Sequence, residues 1–355
     1  MRKLIILTDE KLNFLISIPD LKNYKSMDVK KIRKFFSNLN YDVSEFRFSA
    51  LDLSRDYSGV FFIYQTSESP GAFYKRYIED LVYFLELKGA IMLPCHELLK
   101  AHHNKIFMEM LRSGFRDGSL KSLQAKCYGS WMAARSYNLT FPVVVKQASS
   151  SGSAGVFLAK NKHEYDKIVK KAANVIVAQN LKGIIRYRLV MIIKNLIKLI
   201  YPAKAKYLEY NTVPVSTSVI VQQFVPGLKG DYKVLIFGSR YYTLLRMNRE
   251  NDFRASGSGK FFDVPLEEHN DLLNFARKMT FEIDFPIFGI DIARENGRFH
   301  VIEFQSIHLG PPPLQRSKYW HEYHDGKWIK FDGPSDLEDV YSKTIHDFIV
   351  AKYPD

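Results

Sequence analysis

Apolar positions along the chain come in short runs and spaced stripes that alternate between two periods. Residues 4–7 form an apolar run of strand length, and in residues 27–38 Val29, Ile32, Phe35 and Phe36 recur on one helical face. Residues 57–65 are nearly all apolar and read as a buried strand; 72–87 read as a helix, and 90–93 as a strand stopped by Pro94. Near-continuous apolar strands alternating with amphipathic helices predict a small parallel sheet covered on both faces over residues 1–97. Helices are then predicted over 97–112 and 120–137, strands over 143–146 and 156–159, and a basic helix over 162–173. Strands follow at 219–225, 234–237 and 241–247, and a helix at 265–280.

The clearest alternation lies in residues 285–305, FPIFGIDIARENGRFHVIEFQ. Two strands joined by Glu295-Asn296-Gly297, a three-residue loop closed by a left-handed Gly, would set Asp291 opposite Val301 and Gly289 opposite Glu303. Ile287, Gly289, Asp291, Ala293, Val301, Glu303 and Gln305 then share one side, and Phe288, Ile290, Ile292, Ile302 and Phe304 the other. Asp291 lies diagonal to Glu303, at about 7 Å or less, with Gln305 one step beyond, close enough to share a hard cation. A two-residue Asn296-Gly297 loop would shift the pairing by one and send the two acids to opposite faces. Acids on the polar side of a hairpin also read simply as a solvated face.

Composition changes this picture little and charge changes it locally. With 355 residues, 46% apolar and 14% aromatic, the chain is globular and long enough for two or three domains. Its two cysteines, Cys95 and Cys127, match no metal or redox spacing and suit buried thiols in a reducing compartment. The run at 4–7 is too short for a signal-peptide core and no uncharged stretch would span a bilayer, so the cytoplasm is the expected location.

The net charge of +13 is concentrated: residues 167–208 hold ten Lys or Arg and no acid, and the remaining bases nearly balance the 38 acids. That distribution argues against a nucleic-acid partner, although a basic RNA- or DNA-binding module using this segment is the reading that needs no other ligand. Lys182, Arg186, Lys194 and Lys198 form a stripe that Arg188 and Asn195 interrupt. The segment reads as an ordinary surface helix, as a platform for an anionic substrate, or as peripheral contact with the anionic inner face of a membrane.

Candidate chemistry sits at strand ends and loops. Lys146 closes an apolar strand and precedes Gln147 to Gly155, QASSSGSAG, whose small residues would let main-chain N–H groups approach phosphate oxygens. A floppy hairpin tip is the plain alternative. No P-loop and no dinucleotide glycine fingerprint are present; Gly257-Ser258-Gly259-Lys260 lacks the upstream Gly and is followed by Phe261. Arg246, Arg249 and Arg254 flank or occupy a polar loop at 248–260 of the kind that binds anions.

The order of these features resembles the ATP-grasp superfamily, in particular the amino-acid ligases of the ribosomal-protein glutamate ligase and glutathione synthetase kind. The resemblance spans residues 97–305 and is carried by FPVVVKQASSSGSAGV, VIVQQFVPGLKGDYKVLIFG, RMNRENDFRASG and FGIDIARENGRFHVIEFQ. It implies an α/β (α+β) ATP-grasp architecture: a parallel α/β domain at 1–97, then two α+β lobes clasping ATP. Those lobes would be 98–225, with the phosphate lid and the basic insertion, and 226–355, with the hairpin.

By that similarity Lys105 and Lys146 contact the α- and β-phosphates, and Ser149, Ser150, Ser151, Gly152, Ser153 and Gly155 close over the triphosphate. Gln222, Gln223, Phe224 and Val225 hold adenine, with Asp231 near the ribose and Lys233 in the nucleotide site. Arg246 and Arg254 match positions that contact the transferring phosphate or an acyl phosphate and, with Lys146, would be catalytic; Asp291, Glu303 and Gln305 match the Mg2+ ligands, two ions in all. The family usually places Asn where Gln305 stands, and the segment after it, through residues 306–313 and 319–328, does not follow the pattern. The resemblance implies a ligase joining a small carboxylate to an amine, with a small-molecule kinase as the alternative.

Overall fold

Leu4 and Ile6 point to one face of the first strand and Ile5 and Leu7 to the other, and all four are buried because both faces are covered. The computed structural model describes residues 1–14, 26–66, 73–135, 138–149, 155–173, 189, 192–193, 218–250, 252–255 and 258–354. They form two compact units: residues 1–123 with 225–355, and residues 124–224.

The first unit begins with β1 (Lys3–Thr8), α1 (Val29–Asn38), β2 (Asp42–Arg47), β3 (Phe61–Tyr64), α2 (Phe73–Leu87) and β4 (Ile91–Leu93). The strands pair in parallel in the order β2-β1-β3-β4. Helix α1 lays Val29, Ile32 and Phe36 on the side of Leu4 and Ile6, and α2 lays Ile78, Leu81, Val82 and Leu85 on the side of Ile5 and Leu7. Asp28 caps α1 by accepting from Lys30 N and Lys31 N, which satisfies donors the first turn leaves open.

The helix expected over 97–112 is two helices, α3 (His96–Ala101) and α4 (Lys105–Ser113). His103 takes a left-handed φ of 54° and Asn104 caps α4 from its side chain, accepting from Phe107 N at 3.2 Å. An Asn that can cap competes with helix continuation, and here it wins. Lys105 thereby becomes the first residue of a helix rather than a point along one.

In the second unit, the helix expected over 120–137 is replaced by a 3₁₀ turn (Gly118–Lys121, still in the first unit), β5 (Ala125–Tyr128) and α5 (Trp131–Arg135). Pairing of Ala125 through Tyr128 with the strand at 219–222 overrides local helical preference. β6 (Val143–Gln147), β7 (Val156–Ala159), α6 (Lys162–Ala173) and β8 (Val219–Gln223) complete an antiparallel sheet of order β5-β8-β6-β7. Val143, Val145, Val219 and Val221 meet Tyr165, Val169, Ala172 and Ala173 of α6, so the helices cover one face.

The chain returns to the first unit with β9 (Gly230–Phe237), β10 (Arg240–Met247), β11 (Phe261–Phe262), α7 (Leu266–Arg277), β12 (Ile287–Glu295) and β13 (Arg298–Gln305). α8 (Pro312–Arg316), β14 (Tyr319–His324), β15 (Lys327–Asp332) and α9 (Leu337–Lys352) follow. Among the described residues these strands form one antiparallel sheet, β13-β12-β9-β10-β14-β15, with β11 on β10. No helix among them is long and apolar enough to cross a membrane.

The β12–β13 hairpin corrects the expected register. Glu295 faces Arg298, so the loop is the two-residue Asn296-Gly297. Both have positive φ, 49° and 78°, as a type I′ turn requires. That turn alone would put Asp291 opposite Ile302. A bulge intervenes: Ile292 faces Val301, Asp291 faces Glu303, and Ile302 is the extra residue. The slip and the bulge cancel, and the two acids end directly opposite one another. Val301, expected beside Asp291, is instead fully buried opposite Ile292.

Candidate functional site

In an antiparallel sheet directly opposed residues project to the same side. Glu303 on β13, Asp291 on β12 and Lys233 on β9 are successive partners and form one row. Beside that row Asp231 faces Arg246 of β10, and on its other side Gln305 faces Gly289. Asp231, Lys233, Arg246, Asp291, Glu303 and Gln305 therefore occupy one face of one sheet.

The contacts among them are ionic and directional. Arg246 grips Asp231 with two parallel bonds, Nε to Oδ1 at 2.6 Å and Nη2 to Oδ2 at 2.9 Å, and reaches Asp291 Oδ2 with Nη2 at 2.7 Å. Lys233 Nζ lies 3.3 Å from Asp291 Oδ1. Lys105 Nζ, from the first turn of α4, lies 2.8 Å from Glu303 Oε1. Gly289 keeps this crowded face open: a Cβ there would stand 3.0 Å from Leu235 Cδ2 and 3.7 Å from Lys233 Nζ.

Three cations thus face three carboxylates. Burial pushes the Asp291 carboxyl up, but Arg246 and Lys233 outweigh it and hold the group well below the usual carboxylate range. Asp231 moves the other way, since burial raises it against the pull of Arg246 and the charge of Asp291 adds to the rise. The Asp291 and Glu303 side chains keep 19% and 31% of their exposure, so a ligand can reach both.

Two carboxylates and an amide oxygen at adjacent sheet positions are the donors a hard divalent cation takes, with phosphate and water completing the shell. Among the described residues no three His, Cys, Asp or Glu side chains group as a metal cage.

Arg254 lies off this face, in the loop after β10, where Asp252 holds it through Nε at 2.9 Å and Nη2 at 2.6 Å. In the second unit Lys146 and Gln222 are buried on the sheet face opposite α5 and α6; Lys146 pairs with Val156 and Ile220, and Gln222 with Val144. Gln147 N donates to Gly155 O at 2.8 Å, closing the base of the lid loop, and Ser149 is exposed. Ser150, Ser151, Gly152 and Ser153 lie outside the described residues. Gln223 ends β8, Phe224 ends the second unit and Val225 is a buried residue of the first.

Of the basic segment, Lys167, Lys170 and Lys171 belong to α6, where Lys170 lies over Trp131 and Lys171 over Phe157. Most of its remainder, including Lys182, Arg186, Arg188, Lys194, Lys198, Lys204 and Lys206, lies outside the described residues.

Sequence reasoning passed over a polar cluster beside Gln305. Gln305 Nε2 donates to His308 O at 2.8 Å, His308 N donates to Gln65 Oε1 at 3.2 Å, and the His308 ring stacks on His102 at 5.1 Å. His308 is buried and left-handed, with φ 51°.

No protein-family model matches the chain, and no curated protein matches its sequence. Its fold is similar to that of D-alanyl-alanine synthetase A from Vibrio cholerae O1 biovar eltor, with a TM-score of 0.52, 11% identity and 99% of each chain covered. D-alanine–D-alanine ligase from Bacillus anthracis gives a TM-score of 0.49 at 11% identity, over 99% of this chain and 97% of the other. A RimK domain ATP-grasp protein from Sphaerobacter thermophilus gives 0.43 at 10% identity, over 85% and 90%. The chain shares the fold of the D-alanyl-alanine synthetase.

Proposed function

We propose that the protein is an ATP- and magnesium-dependent carboxylate–amine ligase that forms an amide bond through an acyl phosphate. Its substrates would be an amino acid derivative or a surface-polymer precursor. The observation that carries this reading is the row Lys233, Asp291 and Glu303, flanked by Arg246 and Gln305, on one face of an ATP-grasp fold.

Lys105 and Lys146 are assigned to the α- and β-phosphates, with the 149–155 loop over the triphosphate. The main chain of Gln222, Gln223, Phe224 and Val225 is assigned to adenine, Asp231 to the ribose, and Lys233 to the nucleotide site. Asp291, Glu303 and Gln305 would hold Mg2+, which when bound offsets charge on the β- and γ-phosphates. Lys105 pairs with Glu303 and Lys233 with Asp291, so both ammonium groups stand beside the position assigned to the phosphates.

Arg246, fixed by its bidentate grip on Asp231, presents a preorganised cation to the phosphoryl oxygens, and Arg254 is assigned the acyl phosphate. A substrate carboxylate oxygen attacks the γ-phosphorus and ADP departs. The amine nitrogen then attacks the acyl carbon, phosphate departs, and the amine proton is released. The products are the amide, ADP and inorganic phosphate.

Incubation with ATP, Mg2+ and a panel of carboxylates and amines, followed by phosphorus NMR, tests this. Paired appearance of ADP and free phosphate that needs both a carboxylate and an amine is expected. A new phosphoester would make the enzyme a kinase, and no ATP turnover with salt-sensitive nucleic-acid binding would overturn both readings.

A further inference from the structure

Gln305 ends β13 one step from Glu303 on the same face, and its side-chain amide is not free to turn. The group it meets at 2.8 Å, His308 O, is a carbonyl, so only the amide nitrogen can engage it and the amide oxygen must face away. His308 O is in turn fixed from several sides. The residue is 2% exposed with φ 51°, its N–H donates to Gln65 Oε1, and its Nε2 donates to Thr66 O. Its ring lies nearly parallel to His102, at 12°. Gln65 and Thr66 follow β3 of the parallel sheet and His102 ends α3, so the turn is pinned by the amino-terminal half of the same unit.

The turn also leans on the row of site residues. A Cβ at Gly289 would stand 3.5 Å from Leu309 O, and one at Gly310 would stand 3.6 Å from Lys233 Cε. An Asn at 305 would be one methylene shorter and could not span to His308 O from the same backbone position.

We propose that the His308 turn, anchored by Gln65, is a positioning element that aims the Gln305 amide oxygen at a divalent cation, and that Gln is needed at 305 to bridge to it. This inference rests on the proposed nucleotide and metal site. It makes Gln65, which directly follows the inner strand β3 of the parallel sheet, a determinant of metal affinity without touching the metal.

The test is Mn2+ binding in the presence of saturating ADP, read by the electron paramagnetic resonance of free Mn2+, for the wild type, Gln305→Asn, Gln65→Leu and the double variant. Two bound ions are expected in the wild type. Loss of an outer-shell partner typically lowers metal affinity 10- to 100-fold. Gln305→Asn should weaken the looser ion by about that factor, Gln65→Leu by about tenfold, and the double variant by little more than Gln305→Asn alone. The tighter ion should move less than about twofold. Unchanged affinity for the looser ion in Gln305→Asn overturns the proposal, as do fully additive effects; Gln305 is only part-buried, so that variant decides the matter even where Gln65→Leu unfolds. No nucleotide-dependent Mn2+ uptake by the wild type would sink the function reading as well, whereas two ions with normal affinity in both variants would sink only the tether.

Discussion

Each unit buries a lysine in a strand, Lys233 in β9 and Lys146 in β6, but their cross-strand partners differ in kind. Lys233 is flanked across the sheet by Asp291, which also meets Arg246, which grips Asp231. Lys146 has Val156 and Ile220 as its cross-strand partners. On the first face charge compensation is built into the sheet, so fold stability and the proposed ligand binding depend on the same atoms. On the second, the residues directly across from the lysine are aliphatic.

That contrast is broken most directly by truncating one charge on the large sheet. Asp231→Ala leaves Arg246 buried with half its partners, and breaking a buried pair in this way typically costs about 3–5 kcal/mol. Urea unfolding should show a loss of that order. A loss below about 1 kcal/mol would show that Asp231 is not what holds the buried guanidinium.

A smaller effect sharpens the comparison on the reverse side of the large sheet. His321, opposite Tyr241, has its Nδ1 buried with no hydrogen-bond partner among the described residues. Burial, with His269 beside it, pushes its pKa down to about 4. The unfolded chain therefore binds a proton near the ordinary value of about 6.5 that the folded chain refuses. The stabilising contribution is complete above that value and is lost as pH falls toward 4. Unfolding free energy should be on the order of 1–2 kcal/mol lower at pH 5 than at pH 7 from this group, and His321→Gln should remove that part of the slope. An unchanged slope in the variant would show that His321 does not titrate between the two states.

How far the sequence revealed this follows from which distances it controls. Period-two alternation put Asp291 on the polar side of β12, and Glu303 and Gln305 on that of β13, because Ile290, Ile292 and Phe304 are buried; bringing the two polar sides onto one face took the bulge. Turn length was not readable, since Asn-Gly serves both a two-residue loop and the end of a three-residue one, and the bulge at Ile302 that restores the pairing has no local signature. β5 read as a helix because its partner strand lies about a hundred residues downstream. The His308 turn was invisible for the same reason: its contact with Gln65 spans 243 residues.

The central claim is that the face bearing Asp291 and Glu303 serves a nucleotide held with magnesium. Isothermal titration with a non-hydrolysable ATP analogue tests it, with and without Mg2+, on the wild type and on Glu303→Gln. Binding that weakens at least tenfold when Mg2+ is removed, and that loses this dependence in Glu303→Gln, is the predicted result. No binding by the wild type, or binding equally strong without Mg2+, would contradict it.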